Sequence, residues 1–146
     1  AQALHWFDLD DFAVEVARVL KPGGVIAAWT YNLLQVTQAV DAVIADLYHD
    51  VLAAHWPPQR RLVETGYAEI ELPFDALRCP AFEMVEEWTL ERLVGFLNTW
   101  SAVRRYEDRI GENPLERVGD DLRAAWGDPG QGRPVTWPLA VRLWTK

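Results

Sequence analysis

Cysteine is nearly absent from this chain. Cys79 stands alone in 146 residues, which excludes an internal disulfide and any zinc site built on cysteines, and fits a reducing, cytoplasmic setting. Basic residues are scarce. Fourteen Lys and Arg stand against 22 Asp and Glu, a formal net charge of −8, so nothing supplies the cationic face that a phosphate backbone demands, and a nucleic-acid partner is not expected. No apolar run approaches the ~20 residues of a membrane-spanning helix. No basic-then-apolar leader opens the chain. The glycines form no phosphate loop, and His5, His49 and His55 are too scattered for a metal set. No metal is expected.

What is present is globular material for one domain, half of it hydrophobic, with eight tryptophans that dominate whatever core or pocket they join. Ala1 to Leu4 reads as the tail of a strand or a buried turn. Asp8 then caps a helix whose Phe12, Val16, Val19 and Leu20 recur at helical spacing, and Lys21-Pro22-Gly23-Gly24 stops it. The unbroken apolar run Val25 to Tyr31 predicts a strand covered on both faces, as in a parallel sheet. Leu34 to His55 predicts one long amphipathic helix ended by Trp56-Pro57-Pro58. Residues 59–80 read as irregular. Phe82 to Trp88 predicts a strand, and Thr89 caps the helical stretch that follows through Trp100 to Ile110. Asn113-Pro114-Leu115-Glu116 starts another helix, which ends at Trp126-Gly127. Val135 to Trp144 closes the chain as a strand, with Pro138 at its beginning or at an unpaired position.

No motif is a catalytic signature in its own right. The order of the motifs is more informative. "QALHWFD" from Gln2, then "RVLKPGGVIAAW" from Arg18, resembles the region of class I S-adenosylmethionine-dependent methyltransferases where the fourth strand ends beside the cofactor and a turn leads into the fifth. The first phrase, with Trp88 to Ser101, is similar to the trans-aconitate-type, small-molecule branch. The resemblance implies an α/β fold, the later part of a Rossmann-like sheet with a late antiparallel hairpin. The final strand would insert beside Val25 to Tyr31, and 89–126 would be a helical, lid-like insertion. It also implies that Gln2, Ala3, Leu4 and Trp6 border S-adenosylmethionine. His5, Phe7, Tyr31, Trp100 and Tyr106 would face a small-molecule acceptor.

Open α/β sheets bind ligands beyond the carboxyl ends of their strands, so His5-Trp6 and Tyr31 are expected to share one hollow. His5 is either a general base for the acceptor or a structural histidine holding the loop. Trp6 and Tyr31 are either pocket walls or core, and Trp100 and Tyr106 either cover the acceptor or pack as ordinary helix residues. The family's glycine-rich cofactor turn and ribose-binding acid have no counterpart here. The chain is therefore expected to be the C-terminal half of such an enzyme, to bind the cofactor poorly by itself, and to associate with the other half or with a second copy. The alternative is a non-catalytic assembly domain that keeps the late half of the fold.

Overall fold

The computed structural model describes all 146 residues. Its elements are α1 (Leu9–Val19), β1 (Val25–Tyr31), α2 (Gln38–Asp46), α3 (Arg60–Glu64), β2 (Asp75–Leu77), β3 (Phe82–Trp88), α4 (Leu90–Leu97), α5 (Ser101–Ile110), α6 (Leu115–Trp126) and β4 (Arg133–Thr145). The fold is mixed α/β, with a four-stranded sheet in the order β1-β4-β2 and β3 also paired to β4. β1 runs antiparallel to β4 from Val25 opposite Thr145 to Tyr31 opposite Leu139, which places the closing strand where the family resemblance put it. β2 pairs antiparallel to the far end of β4. No helix is long and apolar enough to cross a membrane.

The chain divides into two compact units, each with its own interior. The first comprises residues 1–33, 58–84 and 137–146. Its core joins Leu4, Ala13, Val63, Tyr67, Ile70, Leu72 and Trp144, with Ile26 and Ala28 of β1 packed against them. The Asp8 carboxylate accepts from the amides of Asp10 and Asp11 and so caps α1. At the other end of α1, Gly23 takes φ 75°, and a Cβ on Gly24 would lie 2.9 Å from the Lys21 carbonyl, so both glycines of the turn are sterically required. The C-terminal Lys146 fastens this end. Its ammonium donates to the carbonyls of Ala17 and Leu20, a cation where the helix dipole is negative.

The second unit comprises residues 34–57 and 85–136 and is mainly helical. α2 and α4 both pack on α6, burying Val40, Ile44, Leu93, Leu97, Val118, Leu122 and Trp126. Thr89 caps α4 through Arg92 N–H, and Asn113 accepts from Leu115 N–H at the start of α6, as its motif predicts. Gly127 closes α6 at φ 83°.

Several sequence expectations are corrected. Of the two readings of the opening segment, a turn is found and a strand tail is not: residues 4–6 form a 3-10 turn with Leu4 buried, so no parallel pair opens the sheet. β1 is not covered on both faces. Ile26, Ala28 and Thr30 point inward, while Val25, Ala27 and Trp29 are exposed, because the neighbour β1 gains is the antiparallel β4 and nothing packs over its other side. The long helix expected from Leu34 to His55 is broken into α2, a π-turn (Leu47–Val51) and a 3-10 turn (Ala53–His55). Its N-terminus is delayed because the Asp41 carboxylate accepts from Val36 N–H and Gln35 bridges to Thr136. Within 59–80, read as irregular, lie α3 and β2. These are too short to leave a periodic signature.

Candidate functional site

Residues from four segments of the first unit meet at the end of β1. Gln2 lies against the end of that strand. Its backbone N–H donates to the Trp29 carbonyl at 3.0 Å, and its side-chain Nε2 to the Tyr31 carbonyl at 3.1 Å. The Thr30 hydroxyl, fully buried, donates to Gln2 Oε1. His5, on the 3-10 turn, is hydrogen-bonded through Nδ1 to the Tyr67 hydroxyl at 2.9 Å. α3 packs against that turn and contributes Arg60, whose guanidinium donates to Asn32 Oδ1 at 3.2 Å. Gln2 thus ties the N-terminal segment to the end of β1 at Tyr31, and His5 of the same segment is tied to Tyr67.

The backbone here is strained. Gln2 at φ 48° and Tyr67 at φ 59° are the two non-glycine residues of the chain in the left-handed region, a conformation costing about 1–2 kcal/mol each and often found at functional sites. Gly66, immediately before Tyr67, is also left-handed at φ 59°. A Cβ on it would stand 2.8 Å from the Ala140 Cβ, and its carbonyl accepts from Arg142 Nε at 3.0 Å. Glycine thus lets the Thr65–Tyr67 turn press against β4 and carry the Tyr67 ring inward, where it is 1% exposed.

Electrostatics follow burial. Partial burial lowers the His5 pKa below its usual 6.5, and the Arg60 cation lowers it further, so the imidazole is kept neutral. Burial raises the Tyr67 pKa. The Thr30 hydroxyl, the amides of Leu4 and His5, and Arg60 oppose that rise.

The remaining predicted residues take different positions. Leu4 is buried in the core and Ala3 is half-buried beside it. Trp6 is 57% exposed, with its ring centroid 4.8 Å from that of His5. Phe7 is 50% exposed and stacks on Phe12 at 5.4 Å. Tyr31 meets Trp137 edge-on at 6.5 Å. Trp100 and Tyr106 belong to the second unit. There Trp100 lies edge-on to Tyr48 at 5.8 Å, and Tyr106 is buried between His55 and Arg117. The helical unit has its own cleft of about 820 Å³, lined by Leu90, Val94, Leu115 and Leu122 together with Asn98 and Asn113.

Thr30, Arg60 and Tyr67 were not among the residues singled out from the sequence. Thr30 sits within an apolar strand, and Arg60 and Tyr67 lie in a stretch without periodicity. The one available signal was Gly66-Tyr67, a glycine directly before an isolated aromatic.

No family model matches the chain. A solved structure titled "The Structure of a Putative Type II Methyltransferase from Anaeromyxobacter dehalogenans" superposes with a TM-score of 0.92 at 48% identity, covering 99% of this chain and 61% of that one. In fold and in sequence, this chain is similar to a protein titled as a putative methyltransferase. A Dictyostelium discoideum protein named "Putative methyltransferase" is 24% identical over 129 residues, which are 86% of this chain and 49% of that protein. The chain therefore spans about half the length of this curated relative.

Proposed function

We propose that this chain forms the acceptor side of an S-adenosylmethionine-dependent methyltransferase acting on a small molecule, of the trans-aconitate-like branch. The observation that carries this reading is the convergence of Gln2, His5, Tyr31 and Tyr67 at the end of β1, within a chain whose relatives are named methyltransferases.

The residues present suit one part of the cofactor. Trp6 offers an exposed aromatic face beside His5, and a cation over such a face gains about 0.5–2 kcal/mol. The cofactor, when bound, supplies an electrophilic methyl group on a sulfonium. Trp6 would border that cation, with Gln2, Ala3 and Leu4 framing the adjacent backbone. The chain's own contribution centres on the acceptor. His5, neutral through burial and Arg60, takes the acceptor's proton as its nucleophilic atom becomes free to receive the methyl group. Orienting the acceptor supplies much of the remaining acceleration, because methyl transfer is an in-line displacement. Tyr31, at the end of β1, is a wall of the acceptor site.

Calorimetry with S-adenosylhomocysteine on the protein as encoded by its gene tests this reading. Micromolar binding is expected. Trp6→Ala should weaken it by about 2- to 30-fold, the loss of one cation–aromatic contact. No detectable binding by the intact protein would overturn the proposal. A second reading, a non-catalytic assembly domain, is favoured by the exposed apolar face of β1 at Val25, Ala27 and Trp29. It predicts a concentration-dependent dimer in sedimentation with no cofactor affinity.

A further inference from the structure

Two antiparallel helices enclose the cleft of the second unit. The end of α4 meets the start of α6, where Asn113 Nδ2 donates to Asn98 Oδ1 at 2.9 Å. The start of α4 meets the segment after α6, where Leu90 N–H donates to the Pro129 carbonyl at 3.4 Å. Helical spacing lays Leu90 and Val94 along one wall, and Leu115, Gly119 and Leu122 along the other. Nothing in the fold demands glycine at 119. It lies within α6, outside the left-handed region, and a Cβ there would meet nothing nearer than Arg123 Nη1 at 3.8 Å. Glycine is nonetheless among the poorest residues for a helix interior. What it leaves is open space midway along a cleft of about 820 Å³, a volume typical of small-molecule sites.

The two ends of the cleft differ in charge. Where α4 begins, Glu91 is accompanied by Arg123, itself paired with Asp120 at 2.8 Å. Where α6 begins, the lining is Glu116, Asn98 and Asn113, rich in acceptors and without a cation. Glu116 enters no ion pair. Arg117, its neighbour in sequence, lies over the Tyr106 ring instead of lining the cleft. The Asn113 amide is fixed, with Nδ2 donating to Glu107 Oε1 at 2.7 Å and to Asn98, and Oδ1 accepting from Leu115 N–H. Asn98 therefore presents its carbonyl oxygen at this end. We propose that the cleft between α4 and α6 binds a small organic ammonium, its head on Glu116 and Asn98 Oδ1 and its apolar body laid over Leu90, Val94 and Leu122 past Gly119. An ammonium offers three donors and no acceptor, the complement of that end, whereas an anionic head would be repelled by Glu116. The site lies within the second unit and needs neither a methyl donor nor His5.

Hexylamine, 1-hexanol and hexanoate share one apolar body and differ in charge. Titrating each near neutral pH into the intact protein, labelled with carbon-13 at its Leu and Val methyl groups, reads the site directly. Hexylamine should shift the Leu90, Val94, Leu115 and Leu122 signals along one saturable curve. Hexanoate should bind at least about 10-fold more weakly, with hexanol between. Glu116→Gln removes the charge and keeps the shape, and should weaken hexylamine by about 2- to 10-fold while leaving hexanol unchanged. Gly119→Leu fills the middle of the cleft and should abolish binding of all three. Hexylamine that leaves these methyl signals unmoved would overturn the proposal. So would hexanoate binding as tightly as hexylamine, or a Glu116→Gln protein that binds hexylamine as well as wild type. The wild-type series decides the matter by itself if Gly119→Leu does not fold. No cofactor is present in these titrations, so failure here and failure of the methyltransferase reading are separate results.

Discussion

Replacing Gly66 by alanine perturbs the turn that seats Tyr67, and its cost can be built from two parts. At φ 59° an L-residue is in the left-handed region, which costs about 1–2 kcal/mol. The new Cβ would also stand 2.8 Å from the Ala140 Cβ, and forcing a methyl group into such a contact costs about 1–3 kcal/mol. Alanine's lower entropy in the unfolded chain offsets about 0.4–1 kcal/mol. The expected net loss is about 2–4 kcal/mol, measured as a lower urea midpoint with an unchanged slope. The two parts separate in a double-mutant cycle. Ala140→Gly removes the opposing carbon at a cost of about 0.5–1 kcal/mol for glycine in a strand. Combined with Gly66→Ala it should recover the steric part, a coupling of about 1–3 kcal/mol. A Gly66→Ala protein within about 0.5 kcal/mol of wild type, or strictly additive effects in the double variant, would refute the close-approach argument.

His5 makes stability depend on pH with a definite sign. Its folded pKa is lowered, first by burial and then by Arg60, so the unfolded chain binds the proton more readily. This contribution is fully present above the ordinary value of 6.5 and is lost as pH falls through the folded pKa. A His5→Gln variant should therefore show a flatter stability profile below pH ~6.5. Arg60→Ala should raise the His5 pKa in an NMR titration yet leave it below 6.5, because the larger cause, burial, remains; a full return to 6.5 would reverse that order. In the helical unit, Thr89→Ala removes the cap on Arg92 N–H and should cost about 0.5–2 kcal/mol in chemical denaturation.

Local signals in the sequence located elements well where a cap or a breaker marked them. Asp8, Thr89, Asn113-Pro114 and Gly127 sit at the helix ends they predict, because a side-chain oxygen or a left-handed glycine acts on its immediate neighbours. Long-range partners were less legible. The run from Val25 to Tyr31 is apolar on both faces, yet its outer face is exposed, since hydrophobicity alone does not say what covers a strand. Heptad-like spacing from Leu34 to His55 could not reveal that Asp41 would bind Val36 N–H and hold the chain out of helix. At the site, family resemblance drew attention to Gln2, His5 and Tyr31. Tyr67, 62 residues from His5, arrives through a tertiary contact that no local pattern encodes.

The uneven placement of the tryptophans gives the chain a built-in optical probe. Trp88, Trp126, Trp137 and Trp144 are shielded in the interior, whereas Trp6 and Trp29 reach solvent. Collisional quenchers such as iodide should extinguish chiefly the emission of these two indoles. A ligand settling beside His5 would protect Trp6, while a protein docking on β1 would protect Trp29. Single Trp→Phe replacements would then separate ligand capture from assembly in one fluorescence titration.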